Sequence, residues 1–260
     1  MDPALILAGA FTGFVVGLTG VGGGALMTPL LILVFGVAPV AAIATDLWFA
    51  TITKLAGLRE HQRSGGVDWQ VAKRLWLGSI PVAIVVVVVV GLGGDEIKVT
   101  WLTKAVGVAV LLTAIGLIIA PRLTAYAQRR SVHPKGGFQA AQRTLTVASG
   151  AVLGTFVALT SVGAGAIGSV LMLLLYPLRL TPHRLVATDL AQAIPLAAVA
   201  GIGYLLAGRV QWEMLSNLLM GSLPAVLIGS RLASQVSARR LQIALAVVLI
   251  ATGIKVLLVS

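Results

Sequence analysis

Apolar residues run along this chain in long unbroken blocks, without the alternation of a half-buried strand or the narrow stripe of a soluble amphipathic helix. The blocks are 4–18, 25–36, 41–58, 75–93, 99–120, 145–159, 166–178, 185–207, 214–230 and 241–259. A helix needs about 20 residues to cross a bilayer, and several blocks meet that length. The first two do not, and glycines part them: Gly17, Gly20, Gly22, Gly23 and Gly24 all fall before Ala25. Glycine costs a helix interior about 1 kcal/mol relative to alanine, so the cluster predicts a break. At membrane depth an opened backbone is tolerated only where protein or a water-filled cavity satisfies it. The pattern therefore predicts an all-α polytopic membrane protein whose first element is a helix hairpin, 4–36, broken at its glycines.

The pattern occurs twice. Gly20-Val21-Gly22 matches Gly163-Ala164-Gly165, and Ala44-Thr45-Asp46-Leu47 matches Ala187-Thr188-Asp189-Leu190. Val67-Asp68-Trp69 matches Val210-Gln211-Trp212, and Gly78-Ser79-Ile80-Pro81 matches Gly221-Ser222-Leu223-Pro224. Each match lies 143 positions on, as from Gly20 to Gly163. Duplication of this kind is how many secondary transporters are built. The division expected is a first repeat, 1–120 (hairpin 4–36, helices 41–58, 75–93 and 99–120). A basic cytoplasmic linker, 121–143, follows, then a second repeat, 144–260 (hairpin 145–178, helices 185–207, 214–230 and 241–259).

Charge orients the repeats. The chain has 260 residues, 58% hydrophobic and 10% charged, with a formal net charge of +11. In a soluble protein that excess would point to nucleic acid; here it clusters at span ends, so no nucleic-acid partner is expected. Lys and Arg concentrate in cytoplasmic loops. Arg59, Arg63, Lys73 and Arg74 flank one loop, and Arg122, Arg129, Arg130, Lys135 and Arg143 fill the linker, whereas Asp95 and Glu96 face Lys98 in the turn between. If each glycine-broken pair enters and leaves on one side, Arg179, Arg184, Arg231, Arg239 and Arg240 also fall inside. Each half then makes three full crossings, the halves are inverted copies, and both termini lie outside the cytoplasmic membrane. Two complete crossings per hairpin would give the same parity. Met1, Asp2 and Pro3 lack the basic start of a cleavable signal, and with no cysteine there is no disulfide or thiolate chemistry.

Inversion would bring the two glycine loops together near the midplane. The helices starting at about Ala25 and Ala166 would aim unpaired N–H groups at one place, which suits an anion. Candidate binding residues are Thr19, Gly20, Gly22, Gly23 and Gly24 in the first loop and Thr160, Ser161, Gly163 and Gly165 in the second, with Gln192 nearby. The plainer reading is that these glycines let helices pack closely.

The glycine-rich opening, Ile43-Ala44-Thr45-Asp46-Leu47, Ile52-Thr53-Lys54 and Gly65-Gly66-Val67-Asp68-Trp69 resemble the sulfite exporter TauE/SafE family. Ala187-Thr188-Asp189-Leu190 and Gly221-Ser222-Leu223-Pro224 extend the resemblance over nearly the whole chain. It implies a permease for small sulfur-containing or organic anions such as sulfite or sulfonates.

Few ionisable residues interrupt the spans. Asp46 and Asp189, with Thr45 and Thr188 beside them, are candidates for coupling or gating, as is Lys54. An intramembrane carboxylate is costly and often functional, and one that takes up a proton as an anion arrives no longer repels it. The rival reading is that both aspartates cap their helix starts and that Lys54 snorkels to the surface, as Lys104 and Lys255 are expected to do. Trp69, Trp76, Trp101 and Trp212 sit where interfacial anchors belong, while Trp48 is a candidate for the cavity wall. The function expected is a secondary anion transporter without metal or cofactor, the bilayer and a small anion being its partners. An anion channel is the alternative. An intramembrane enzyme is a third, disfavoured because His61, His133 and His183 fall in loops.

Overall fold

The computed structural model describes residues 2–19, 24–61, 66–92, 98–129, 136–163, 165–176, 179–232 and 238–259. They form ten helices, and no strand occurs among them: α1 (Pro3–Thr19), α2 (Gly24–Leu33), α3 (Pro39–His61), α4 (Trp69–Leu92) and α5 (Lys98–Arg129), then α6 (Gly136–Thr160), α7 (Ala166–Leu175), α8 (Pro182–Leu206), α9 (Trp212–Leu232) and α10 (Ala238–Val259). α4, α5, α6, α8 and α9 each hold a stretch long and apolar enough to cross a membrane. α3 has the length, 23 residues, but carries Asp46 and Lys54. α2 and α7 have 10 residues each, about 15 Å of helix against a hydrocarbon core of about 30 Å.

Composition and the described helices differ over 121–143. Its polarity reads as a linker, yet α5 runs on through Arg129 and α6 begins at Gly136. Arginine, glutamine and alanine are good helix formers, so the helices continue past the apolar stretch.

The helices pack in exchanged pairs. α1 lies on α9 and α6 on α4; α3 meets α9 as α8 meets α4; α5 meets both α7 and α10, and α10 meets α2. Two seams bring backbone against backbone. Gly9, Gly13 and Gly17 of α1 face Leu218, Ser222 and Val226 of α9, and Gly150 and Gly154 of α6 face Leu75 and Ser79 of α4. Residue numbers rise together along both seams, so each pair is parallel. Elsewhere they oppose: Gly107 of α5 faces Leu257 and Gly253 of α10 while Gly253 also meets Leu111, and Trp48 of α3 donates to the Gly201 carbonyl of α8 at 3.0 Å.

The seams revise the register of the repeat. Ser79 and Ser222 lie 143 positions apart, but their partners Gly13 and Gly154 lie 141 apart. α1 and its glycine loop therefore match the second half two residues earlier. Thr19, Gly22 and Gly24 then fall on Thr160, Gly163 and Gly165, and Thr28 of α2 falls on Ser169 of α7.

Hydroxyls and one charge cluster join the halves. Thr45 Oγ1 accepts the Gln211 N–H at 3.2 Å where α9 begins, and Thr188 Oγ1 accepts the Asp68 N–H at 3.0 Å where α4 begins. The buried Asp68 also receives Arg179 in a fork, 2.6 and 2.9 Å, with Arg184 at 3.6 Å. Gln211 stands at the matching position of the second half, so this ion cluster has no twin there. The central core draws on α2, α3, α4, α5, α6, α7, α8 and α10, with Leu47, Val106, Val157, Leu196 and Tyr204 fully or almost fully buried. Outside it Phe11, Val85, Val89, Ile115, Val247 and Leu258 are exposed, as a surface facing lipid requires.

A Cβ at Gly13 would lie 2.6 Å from the Ser222 carbonyl oxygen, with backbone on both sides unable to yield, whereas one at Gly66 meets nothing within 4 Å. Gly13→Val should therefore lower the thermal transition of the detergent-purified protein, at a cost of about 1–3 kcal/mol from overpacking. Gly66→Ala should leave it unchanged. A Gly13→Val protein that melts with the wild type would show that the seam yields.

Candidate functional site

The break in the second half sets the geometry. α6 ends at Thr160, whose hydroxyl donates to the Phe156 carbonyl at 2.6 Å and accepts the Val162 N–H at 3.1 Å. Ser161 then takes φ +58° and Gly163 φ +111°, a region costly for any residue with a Cβ. The chain turns there and α7 starts from Gly165, which brings no capping side chain. The first N–H groups of a helix have no partner within it, and here the start of α7 faces the break, the Gly168 N–H donating back to the Gly163 carbonyl at 3.1 Å. In the first half Thr19 closes α1 by donating to the Val15 carbonyl at 2.9 Å, and α2 starts at Gly24. The candidates Gly20, Gly22 and Gly23 lie outside the described residues.

α3 and α8 cross beside the breaks and supply the ionisable groups. Their prolines, Pro39 and Pro182, stand at the first helical position, where a missing N–H costs nothing. Both helices thus begin two turns before Asp46 and Asp189. The capping reading fails for this reason: the aspartates lie in helix interiors, and Thr181 caps α8, accepting the Arg184 N–H at 3.5 Å. Asp46 is fully buried and its Oδ2 accepts the Thr28 hydroxyl of α2 at 2.5 Å. The Ser161 hydroxyl faces the same carboxylate without completing a hydrogen bond. Asp189 Oδ1 has no partner and lies against Gly168 of α7, where a Cβ would come within 2.7 Å of it.

Lys54 is buried, so it does not snorkel: α3 carries it inward, where it interacts with Asp189 and with Asp46 at longer range than a direct ion pair. Gln192, one turn beyond Asp189, is fully buried with both amide atoms unpartnered, while its backbone carbonyl accepts Trp76 Nε1 at 3.3 Å. The structure thus sets Ser161 of the break against Asp46, places Lys54 within reach of Asp46 and Asp189, and buries Gln192 one turn beyond Asp189. Thr160 is spent on its own turn, and Thr45 and Thr188 hold helix starts across the halves. Trp48 braces α3 against α8 and packs on Trp212, ring centres 6.4 Å apart. Sequence reading missed Thr28 and Gly168. Their signal was the two-residue shift in the repeat, which aligns Thr28 with Ser169 beside Gly168.

A family model described as sulfite exporter TauE/SafE matches residues 5–256. The probable membrane transporter protein YjnA of Bacillus subtilis is 37% identical over 261 residues, covering 99% of this chain and 100% of its own. The probable membrane transporter protein YdhB of the same organism is 26% identical over 240 residues, 87% of this chain and 88% of its own. A probable membrane transporter protein of Xylella fastidiosa is 26% identical over 248 residues, 90% and 85% of the two chains. No solved structure matches. The family match runs through all ten helices, and the chain belongs to the sulfite exporter TauE/SafE family.

Proposed function

We propose that the protein is a secondary transporter that carries a small sulfur-containing or organic anion, sulfite or a sulfonate, across the cytoplasmic membrane. The anion binds at mid-depth, where α2 and α7 begin, and its passage is coupled to a proton through one of the two aspartates. One observation carries this reading. Ser161 Oγ, Asp46 Oδ1, Asp189 Oδ1 and both amide atoms of Gln192 are buried without hydrogen-bond partners, and Lys54 is buried within reach of both aspartates. Buried polar groups are almost always paired, and unpaired ones inside a membrane bundle are costly enough to mark a ligand path. Lys54 and the start of α7 supply the attraction for an anion; the amide and hydroxyls supply donors.

The same reading takes each broken pair, α1 with α2 and α6 with α7, as a hairpin that enters and leaves on one side. Had each pair crossed once as a single broken helix, each half would make four crossings and α5 and α10 would run parallel. Their antiparallel contact at Gly107 and Gly253 supports the hairpin, and the 10-residue α2 and α7 are too short for a full return. The halves are then inverted copies, with both termini outside.

Two experiments test these points. In vesicles holding the purified protein, a panel of sulfite, thiosulfate, sulfonates and carboxylates should give saturable counterflow for at least one anion. Conductance without saturation would mean a channel, and product formation an enzyme. Gly22→Val and Gly165→Val should abolish that counterflow in protein that still inserts and folds; unchanged affinity in both would make the glycines packing devices alone.

The absence of native cysteine makes topology directly measurable. Ser260→Cys should react with an impermeant maleimide applied to intact cells, and Ser131→Cys only after permeabilisation. Labelling of both from one side would overturn the inverted arrangement.

A further inference from the structure

We propose that Asp189, and not its counterpart Asp46, carries the coupled proton, and that Lys54 is an internal cation which Asp189 and the substrate anion hold in turn. This rests on the transporter reading above and assigns the two carboxylates different work.

The two sites have unlike surroundings. Asp46 is anchored: the Thr28 hydroxyl donates to Oδ2 at 2.5 Å, the Ser161 hydroxyl faces it, and it has 0% exposure. Hydrogen bonds to a carboxylate favour its charged form. At Asp189 the register shift puts Ser169 where Thr28 stands, yet α7 turns Gly168 rather than that hydroxyl against Oδ1. Each aspartate keeps its Oδ1 without a partner, but only at Asp46 does a hydroxyl, that of Thr28, hold the other oxygen. Asp46, Asp189 and Lys54 are all buried.

Charge balance gives the order of events. Lys54 interacts with both carboxylates, and with both ionised it serves as the partner of Asp189, the one that no hydroxyl holds. A proton added at Asp189 Oδ1 neutralises that carboxylate and releases Lys54, whose ammonium then meets the incoming anion, with the unpartnered Gln192 amide, one turn from Asp189, as an uncharged donor. Loss of the proton returns Lys54 to Asp189 and expels the anion. One proton thus moves with each anion, in the same direction, and no bond other than O–H is made or broken. Other charges are engaged elsewhere. α7 has no ionisable residue; on α4, Lys73 is exposed and Arg74 donates to the Tyr176 hydroxyl; on α6, Arg143 is exposed; on α8, Arg184 reaches Asp68 and Tyr204 donates to the Ala158 carbonyl.

The test uses the full chain in lipid vesicles and two readouts. In infrared difference spectra recorded between high and low pH, the wild type should show the carbonyl band of a newly protonated carboxyl group. Asp189→Asn should lose that band, Asp189→Glu should restore it, and Asp46→Asn should keep it. The second readout is binding of ethanesulfonate, which stays a monovalent anion throughout the range. Its affinity should rise as pH falls in the wild type and in Asp46→Asn, become independent of pH in Asp189→Asn, and weaken at every pH in Lys54→Gln. A band that survives Asp189→Asn, or that vanishes in Asp46→Asn, overturns the assignment, and unchanged affinity in Lys54→Gln overturns the shared cation. Ethanesulfonate counterflow in the wild type tests the transporter reading separately, because the infrared band requires no substrate.

Discussion

A lipid interior offers no water to a polar group, and that constraint governs the whole molecule. Every backbone N–H and C=O within the hydrocarbon has to find its partner in the chain, which is why the described residues are helical wherever they form regular structure. Side-chain hydroxyls obey the same rule: Thr12, Thr51, Thr113 and Thr155 each donate to the carbonyl one turn back. Against that economy, the unsatisfied atoms at Ser161, Asp46, Asp189 and Gln192 stand out: Ser161 lies in the break and faces Asp46, Asp189 lies against α7, and Gln192 is one turn beyond it. Ser79 and Ser222 are also unpartnered, but they face Gly154 and Gly13 in the two seams, where tight packing rather than a ligand explains their burial.

With no hydrophobic effect between apolar helices in lipid, close approach supplies the contact energy. The seams of α1 on α9 and α6 on α4 do this with glycine, leaving no room for a methyl group between backbones. They fix the outer helices, so that α3 and α8, which carry the charges, and the short α2 and α7 are held between rigid neighbours. Thr28 of α2 touches Asp46, and Gly168 of α7 touches Asp189. The two short helices are thus the elements in direct contact with the ionisable groups.

Much of this was legible beforehand. The apolar blocks located the helices, though α4 and α6 begin earlier and α5 ends later than their apolar stretches, and the glycines marked the break before α7, because hydrophobic length and glycine cost are local properties. Asp46 and Asp189 were conspicuous as charges in apolar runs. What the sequence hid depends on relations between distant segments. The inward path of Lys54 is one such relation: a lysine five residues before Arg59 reads as a snorkelling residue until α3 is seen to run on to His61. Thr45 and Thr188 looked like site residues through adjacency to the aspartates, although neighbours on a helix face different ways. Thr28 sat unnoticed in an apolar run because its partner is 18 positions away and the repeat changes register by two residues between them.

The exchanged threonine caps carry a consequence for how the protein is made. The start of α9 is closed by a hydroxyl of the first half, and the start of α4 by a hydroxyl of the second. Glycine faces on α1 and α6 likewise find their complements only in the opposite half. When the ribosome has delivered the first five helices, α4 has an open end and α1 an empty groove, with nothing nearby to fill either. The two caps and the glycine seam of α1 can close only after α8 and α9 have emerged, so these joints of both halves are completed late in synthesis, as at the meeting of two subunits that share one peptide chain.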